Sequence, residues 1–133
     1  MKFVGYNLNK INAERISDNF EKIKIDTKIE ISKIEKFETK NFPKELIKID
    51  FVYTLDYSPK FAKLDFNGFV LFSAEENEIK DLIKSWKDKK IEENFQTVLF
   101  NIILKKTNLK ALELENELNI PFHINMPSLK KKE

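Results

Sequence analysis

The sequence of 133 residues contains no cysteine, only two glycines and a single histidine. The absence of cysteine excludes disulfides, thiolate nucleophiles and metal sites with sulfur ligands. The two glycines, Gly5 and Gly68, lie too far apart to form a glycine-rich phosphate loop. A catalytic triad or a histidine-rich metal site would need partners for His123 that the chain lacks. We therefore predict no catalytic residue, no metal site and no cofactor.

Long apolar runs are also missing. None approaches the roughly 20 residues of a membrane-spanning helix, and the opening residues lack the apolar core of a signal peptide. We therefore expect no membrane insertion and a cytoplasmic location. The 24 basic and 22 acidic residues give a net charge of +2, and Arg15 is the only arginine. This lysine-rich and glutamate-rich composition fits a thermophile or an AT-rich genome.

Hydrophobic residues make up 41% of the chain and charged residues 35%, enough for a core inside a charged surface. No linker rich in glycine, serine or proline divides the sequence, and we find no internal repeat. We predict one domain over residues 1–129, followed by a disordered basic tail at 130–133.

The middle of the chain shows the period of two that is typical of strands. Residues 22–32 alternate isoleucine with charged side chains, and Ile34 and Phe37 then break the alternation, which predicts a bulge or a strand end. A second strand is predicted over 46–57 and a third over 61–72, joined by a turn at Pro59. So short a turn predicts an antiparallel pair. The first residues alternate less regularly and are a fourth candidate strand.

After Phe72 the period becomes helical. A first helix is predicted from an N-cap at Ser73 to Trp86 and a second over 91–118, with Thr107-Asn108 as a point where it could break or kink. Strands followed by helices predict an α+β fold. We expect an antiparallel sheet of about four strands with two C-terminal helices packed on one side.

The ionisable residues have simple structural interpretations. Glu113, Glu115 and Glu117 are placed around a solvated helix end. His123, in an apolar segment, is interpreted as structural or surface-exposed. An enzyme with a carboxylate site is the alternative ranked last.

A nucleic-acid-binding module is the main alternative. Lysines line the polar face of the 22–32 strand, and aromatic side chains of the next strand, Phe51, Tyr53 and Tyr57, could stack on bases. Asp26 and Glu30 interrupt the lysines, which weakens the field that a phosphate backbone follows. Nucleic acid is therefore an unlikely partner.

The late part of the chain has an excess of apolar residues. The apolar stripe of the long helix is wider than contact with one sheet requires, and an apolar segment follows it. Such a surface is buried in an oligomer or offered to a client. For the interface of a homo-oligomer, a dimer or tetramer, we predict Phe95, Leu99, Phe100, Ile103 and Leu104.

Two short segments carry a family resemblance. One is the strand Gly68-Phe69-Val70-Leu71-Phe72, and the other follows the long helix as Leu118-Asn119-Ile120-Pro121-Phe122-His123-Ile124-Asn125-Met126-Pro127. With the order of elements over about residues 20–129, they resemble the SecB family of protein-export chaperones. The chain is also similar to SecB-like chaperones tied to toxin–antitoxin systems.

The resemblance implies an ATP-independent holdase that binds unfolded or non-native polypeptides in hydrophobic grooves. Two departures are visible: the proline-and-aromatic stretch early in the family's long helix is missing from 91–106, and the acidic sheet face that meets the export motor is mixed with lysines. For client binding we predict residues on the third strand, after the first helix and in the tail: Phe69, Leu71, Trp86, Phe122, Ile124 and Met126.

The wide apolar stripe of the long helix yields a first prediction. We expect light scattering at micromolar concentration to give the mass of an oligomer, because one sheet cannot cover the stripe and its flanks. A monomer mass would contradict this expectation.

Overall fold

The structure, a computed structural model, describes residues 1–19, 21–41 and 45–129. Four strands precede two helices: β1 Lys2–Arg15, β2 Lys24–Phe37, β3 Leu46–Ser58, β4 Ala62–Ser73, α1 Glu76–Lys87 and α2 Glu93–Leu118. The predicted α+β order is confirmed. The predicted basic tail at 130–133 lies outside the described residues. In the described ranges, no helix is long and apolar enough to cross a membrane.

The strands form one antiparallel sheet in the order β1-β4-β3-β2. β3 and β4 form the predicted hairpin, while β1 and β2 lie at opposite edges. The chain that leaves β1 passes the β3–β4 turn, where the amides of Ile16 and Ser17 donate to the carbonyl of Phe61 at 2.8 and 3.2 Å. These hydrogen bonds attach the residues that follow β1 to the β3–β4 turn at that end of the sheet.

One face of the sheet carries the core. From Ile47 to Tyr57 along β3 every second side chain is buried to 1% exposure or less, whereas the residues between them are partly or fully exposed. This is the predicted period of two, and it arises because successive side chains of a strand point to opposite faces. The buried series on β3 is Ile47, Ile49, Phe51, Tyr53, Leu55 and Tyr57.

Bulges interrupt the two edge strands. In β2 the register shifts between Ile31 and Lys33, which confirms the bulge predicted where the alternation breaks. β1 has two shifts, between Phe3 and Gly5 and between Leu8 and Lys10. A bulge adds one residue to a strand and increases its twist, so both edges bend away from a flat ladder.

The first helix begins two residues later than predicted. Ser73 is not its N-cap, because it still pairs with Leu46 at the end of β4. Glu75 is the cap, and its amide donates to the carboxylate of Glu78 at 3.1 Å in a capping box. Ile79 and Leu82 turn into the core.

The second helix continues through Thr107-Asn108 without a break. Its N-terminal end packs edge-on through Phe95 against Phe72 of β4, with ring centroids 5.1 Å apart. Residues four apart lie on one helix face, and five of them in succession have 0% exposure: Leu99, Ile103, Thr107, Ala111 and Glu115. The buried stripe therefore begins apolar and ends on a carboxylate.

Gly68 gives a prediction about the β1–β4 contact. A Cβ at Gly68 would lie 2.3 Å from the carbonyl oxygen of Asn7 and 3.0 Å from the ring of Phe51. Because a backbone atom cannot give way cheaply, we expect Gly68→Ala to destabilise the fold by about 1–3 kcal/mol. Urea unfolding measures this change. Gly5→Ala is the matched control, since its Cβ would meet only Leu71 at 4.0 Å; equal losses in both variants would contradict the steric account.

Candidate functional site

The carboxylate of Glu115 lies at the centre of a buried polar cluster between α2, β3 and the C-terminal segment. Its side chain has 0% exposure. It accepts hydrogen bonds from the hydroxyl of Tyr57 and from the backbone amide of His123, the latter at 2.9 Å. Nδ1 of the His123 ring lies 2.9 Å from both carboxylate oxygens. A buried carboxylate is tolerated only with such partners, so the cluster requires the C-terminal segment to be in place.

The other ring nitrogen of His123 reaches a second polar group. Nε2 lies 3.0 Å from Oδ1 of Asn108 and 3.2 Å from the hydroxyl oxygen of Tyr53. The Tyr53 hydroxyl donates to Oδ1 of Asn108 at 2.5 Å. The imidazole is 5% exposed, and it bridges the carboxylate end and the amide end of the cluster.

A third contact extends the polar contacts along α2 toward the edge of the sheet, and we name this row of contacts the polar seam. The hydroxyl groups of Tyr6 and Thr107 lie 2.7 Å apart, and the Tyr6 ring stacks on Phe51 with centroids 5.8 Å apart. The seam thus runs along one side of α2, and each of its polar groups on the helix meets a tyrosine of the sheet.

Burial and charge both oppose ionisation of these tyrosines. Burial raises the pKa of Tyr53 above its ordinary value, and the negative charge of Glu115 raises it further. Burial also raises the pKa of Tyr57, with added contributions from its hydrogen bond to Glu115 and from that group's charge. The pKa of Tyr6 is raised by burial and partly lowered by its hydrogen bond to Thr107. All three hydroxyls therefore keep their protons in the folded chain at neutral pH.

The end of α2 directs the following segment back onto the cluster. Asn119 adopts a left-handed conformation, with φ 56° and ψ 46°, and the amide of Ile120 donates to the carbonyl of Glu115 at 3.0 Å. This pattern closes a helix and reverses the chain. The carbonyl oxygen of Pro121 then lies 2.8 Å from the Tyr57 hydroxyl. We name residues 120–129 the C-terminal strap.

The strap presents its predicted client-binding residues to solvent. Phe122, Ile124 and Met126 are 41%, 38% and 51% exposed, while His123 between them points inward. Trp86, at the end of α1, is half-buried against the core, with the Lys89 amine 4.4 Å from its ring centroid. These four residues lie on elements of the helix-bearing side.

Phe69 and Leu71 lie on the opposite face of the sheet. They alternate along β4 with Val70 and Phe72, which are buried under the helices. Phe69 is half-buried, and the Lys48 amine lies 4.8 Å from its ring centroid. The structure therefore does not bring these two residues together with the strap.

The predicted interface residues on α2 divide into two groups. Leu99 and Ile103 have 0% exposure and pack in the chain's own core, which leaves them no surface for a partner. Phe95, Phe100 and Leu104 are half-buried and keep some free surface. Two further apolar residues of the long helix, Val98 and Leu109, are 51% and 69% exposed.

The structure corrects two further sequence predictions. Glu115 is not at a solvated helix end but fully buried, because it continues the every-fourth stripe of α2. The aromatic residues considered for base stacking are also buried, with Phe51 at 1% exposure and both Tyr53 and Tyr57 at 0%. They cannot stack on a nucleic acid. The sequence analysis interpreted His123 as either structural or surface-exposed, and the buried ring shows that it is structural.

No protein-family model matches the chain, and no curated protein does so either. Among solved structures, one match is the Mycobacterium tuberculosis SecB-like chaperone Rv1957 in complex with a ChAD peptide from the Rv1956 HigA1 antitoxin. The TM-score is 0.51 at 13% sequence identity, and the match covers 99% of this chain and 92% of that chain. The chain has a SecB-like fold. At this identity the likeness concerns the fold alone.

In this SecB-like fold, no group of three or more metal-ligating side chains is found in the part of the chain that the structure describes. The polar cluster has one carboxylate and one imidazole, already bonded to each other and to tyrosines and an asparagine. Its most specific feature is the set of contacts that side chains of β3 and α2 make with the strap.

The raised tyrosine pKa values predict how stability depends on alkaline pH. The folded chain holds the Tyr53 proton more tightly than the unfolded chain does. The contribution of Tyr53 to the free energy of unfolding is therefore fully present below about pH 10 and is lost as pH rises above it. As pH rises, we expect the free energy of unfolding of Tyr53→Phe to fall less than that of the wild type. Urea midpoints measured from about pH 8 to about pH 11 test this. Parallel curves for the two proteins would contradict it.

Proposed function

We propose that this chain is an ATP-independent holdase of the SecB-like type that binds non-native polypeptides in the cytoplasm. The observation that carries the proposal is the fold it shares with a SecB-like chaperone whose structure contains a bound peptide. Binding involves no covalent chemistry. Burial of nonpolar area supplies the affinity, and backbone hydrogen bonds to an extended client add to it.

Exposed apolar residues on the helix-bearing side support this function. The strap offers phenylalanine, isoleucine and methionine at every second position, and all three side chains are exposed. Methionine adapts its shape and phenylalanine offers a large apolar area, which suits varied clients. We propose Phe122, Ile124 and Met126 as the principal client contacts, with Trp86, Phe69 and Leu71 as further contacts.

Assembly into a homo-oligomer is part of the proposal. Phe95, Phe100 and Leu104 retain free surface on α2, and Val98 is 51% exposed beside them. With about 3.6 residues per turn, Phe95 and Val98 lie on one side of the buried Leu99 and Ile103, and Phe100 and Leu104 lie on the other. A second copy of the chain would bury this free apolar surface on both sides.

An aggregation assay tests the function directly. We expect the protein, without ATP, to suppress light scattering from a chemically denatured model protein as that protein is diluted into buffer. A gel shift with RNA and DNA, run beside it, should show no retardation, because the candidate stacking residues are buried. Retardation of nucleic acid without suppression of aggregation would contradict the proposal and favour the nucleic-acid alternative.

The strap residues yield a more local prediction. We expect Phe122→Ser combined with Met126→Ser to weaken aggregation suppression, because the change removes exposed apolar area. The melting temperature and oligomer mass should hardly change. Asn125→Ala combined with Ser128→Ala, at exposed polar positions of the same strap, is the matched control. A collapse in stability of the serine variant would place the strap in the core and the client groove elsewhere.

A further inference from the structure

The strap is held by the apolar side chain of Ile120, which is buried in the core, by two backbone groups and by the side chain of His123. The Pro121 carbonyl meets the Tyr57 hydroxyl at 2.8 Å, and the His123 amide meets the Glu115 carboxylate at 2.9 Å. These two groups, a carbonyl and an amide two residues apart, are present in any polypeptide that can adopt the strap's backbone, which bends at His123 and Ile124. Tyr57 and Glu115 therefore contact the backbone of the strap without regard to most of its side chains.

The exception is the side chain between the two apolar positions. Both ring nitrogens of His123 are engaged, Nδ1 with the Glu115 carboxylate at 2.9 Å and Nε2 with Asn108 at 3.0 Å. A buried carboxylate demands a hydrogen-bond donor. These contacts therefore select a side chain that donates a hydrogen bond at this one position and tolerate variation on either side of it.

Attachment of the strap is confined to its first residues. Beyond His123, no hydrogen bond or ion pair joins residues 124–129 to the rest of the described chain. Asn119, in its left-handed conformation, marks the point where the strap leaves the helix. A short attachment beside a hinge is the arrangement expected of a segment that can leave its seat.

We propose that the C-terminal strap is an internal ligand of a polypeptide-binding seat formed by Tyr53, Tyr57, Asn108 and Glu115, and that client segments with a hydrogen-bond-donating side chain between apolar residues replace it. This inference rests on the proposed holdase function and specifies the class of client segment. The strap competes from within the same chain, where its effective concentration is of millimolar order. It therefore holds weak segments off the seat and keeps the buried carboxylate paired when no client is present.

The full-length His123→Ala variant tests the seat because it removes the internal imidazole and leaves the seat residues intact. The probe is a fluorescein-labelled peptide with the sequence of residues 119–129, measured by fluorescence anisotropy. We expect the variant to bind it about tenfold more tightly than the wild type, since apparent affinity scales with the fraction of free seats. The same peptide with alanine in place of the histidine should lose this gain. Asn125→Ala, at an exposed strap position, should bind like the wild type.

Three outcomes would overturn the inference: equal affinity of the His123→Ala variant for the two peptides, no gain over the wild type, or unchanged amide exchange of residues 120–126 in that variant. His123→Gln, which keeps one hydrogen-bond donor, replaces the alanine variant if circular dichroism shows the latter unfolded. Aggregation suppression by the wild type is measured in parallel. Failed peptide binding with suppression intact overturns the seat alone, whereas absent suppression overturns the proposed function.

Discussion

The buried carboxylate of Glu115 is the constraint on which the C-terminal half of the molecule depends. Removing a charge from water is costly, and the cost is offset only by close donors. Here the donors are the Tyr57 hydroxyl of β3 and two groups of His123 in the strap. One carboxylate therefore ties together a helix, a central strand and a segment that would otherwise extend into solvent.

This polar tie explains why the strap can display apolar side chains without being absorbed into the core. The side chain of His123 points inward, whereas its neighbours Phe122 and Ile124 are 41% and 38% exposed. Apolar packing holds the strap at Ile120, its first residue, and polar contacts hold it at His123. The apolar core beneath, formed by the series on β3 and the stripe on α2, is complete without them.

Sequence periodicity predicted the sheet and the helices well because each is set by local patterns. The isoleucine alternation of β2, its interruption near Ile34 and the helical spacing after Phe72 are all visible in the printed residues. The polar cluster was missed because an acidic residue near a helix end is usually solvated. A signal was present: Glu115 is the fifth member of a series spaced by four, whose other members are buried.

The partners of Glu115 could not be found from the sequence. Tyr57 lies 58 positions away, and its meeting with Glu115 depends on the direction in which α2 crosses the sheet. His123 lies only 8 positions away, but its inward orientation depends on the reversal at Asn119. The alternation of residues along β4 predicts that Phe69 and Leu71 share one face of the sheet. It does not predict whether a client binds on that face.

The central claim is that non-native polypeptides bind on the strap-bearing side of a SecB-like fold. The most direct measurement is a two-dimensional NMR titration of the isotope-labelled protein with a soluble, permanently unfolded polypeptide. The account predicts that the largest shifts or broadening occur at the amide signals of residues 120–126, Asn108 and Glu115, with smaller changes around Phe69 and Leu71 on the outer face of the sheet. Changes confined to the outer face around Phe69, or no changes at saturating polypeptide, would contradict it.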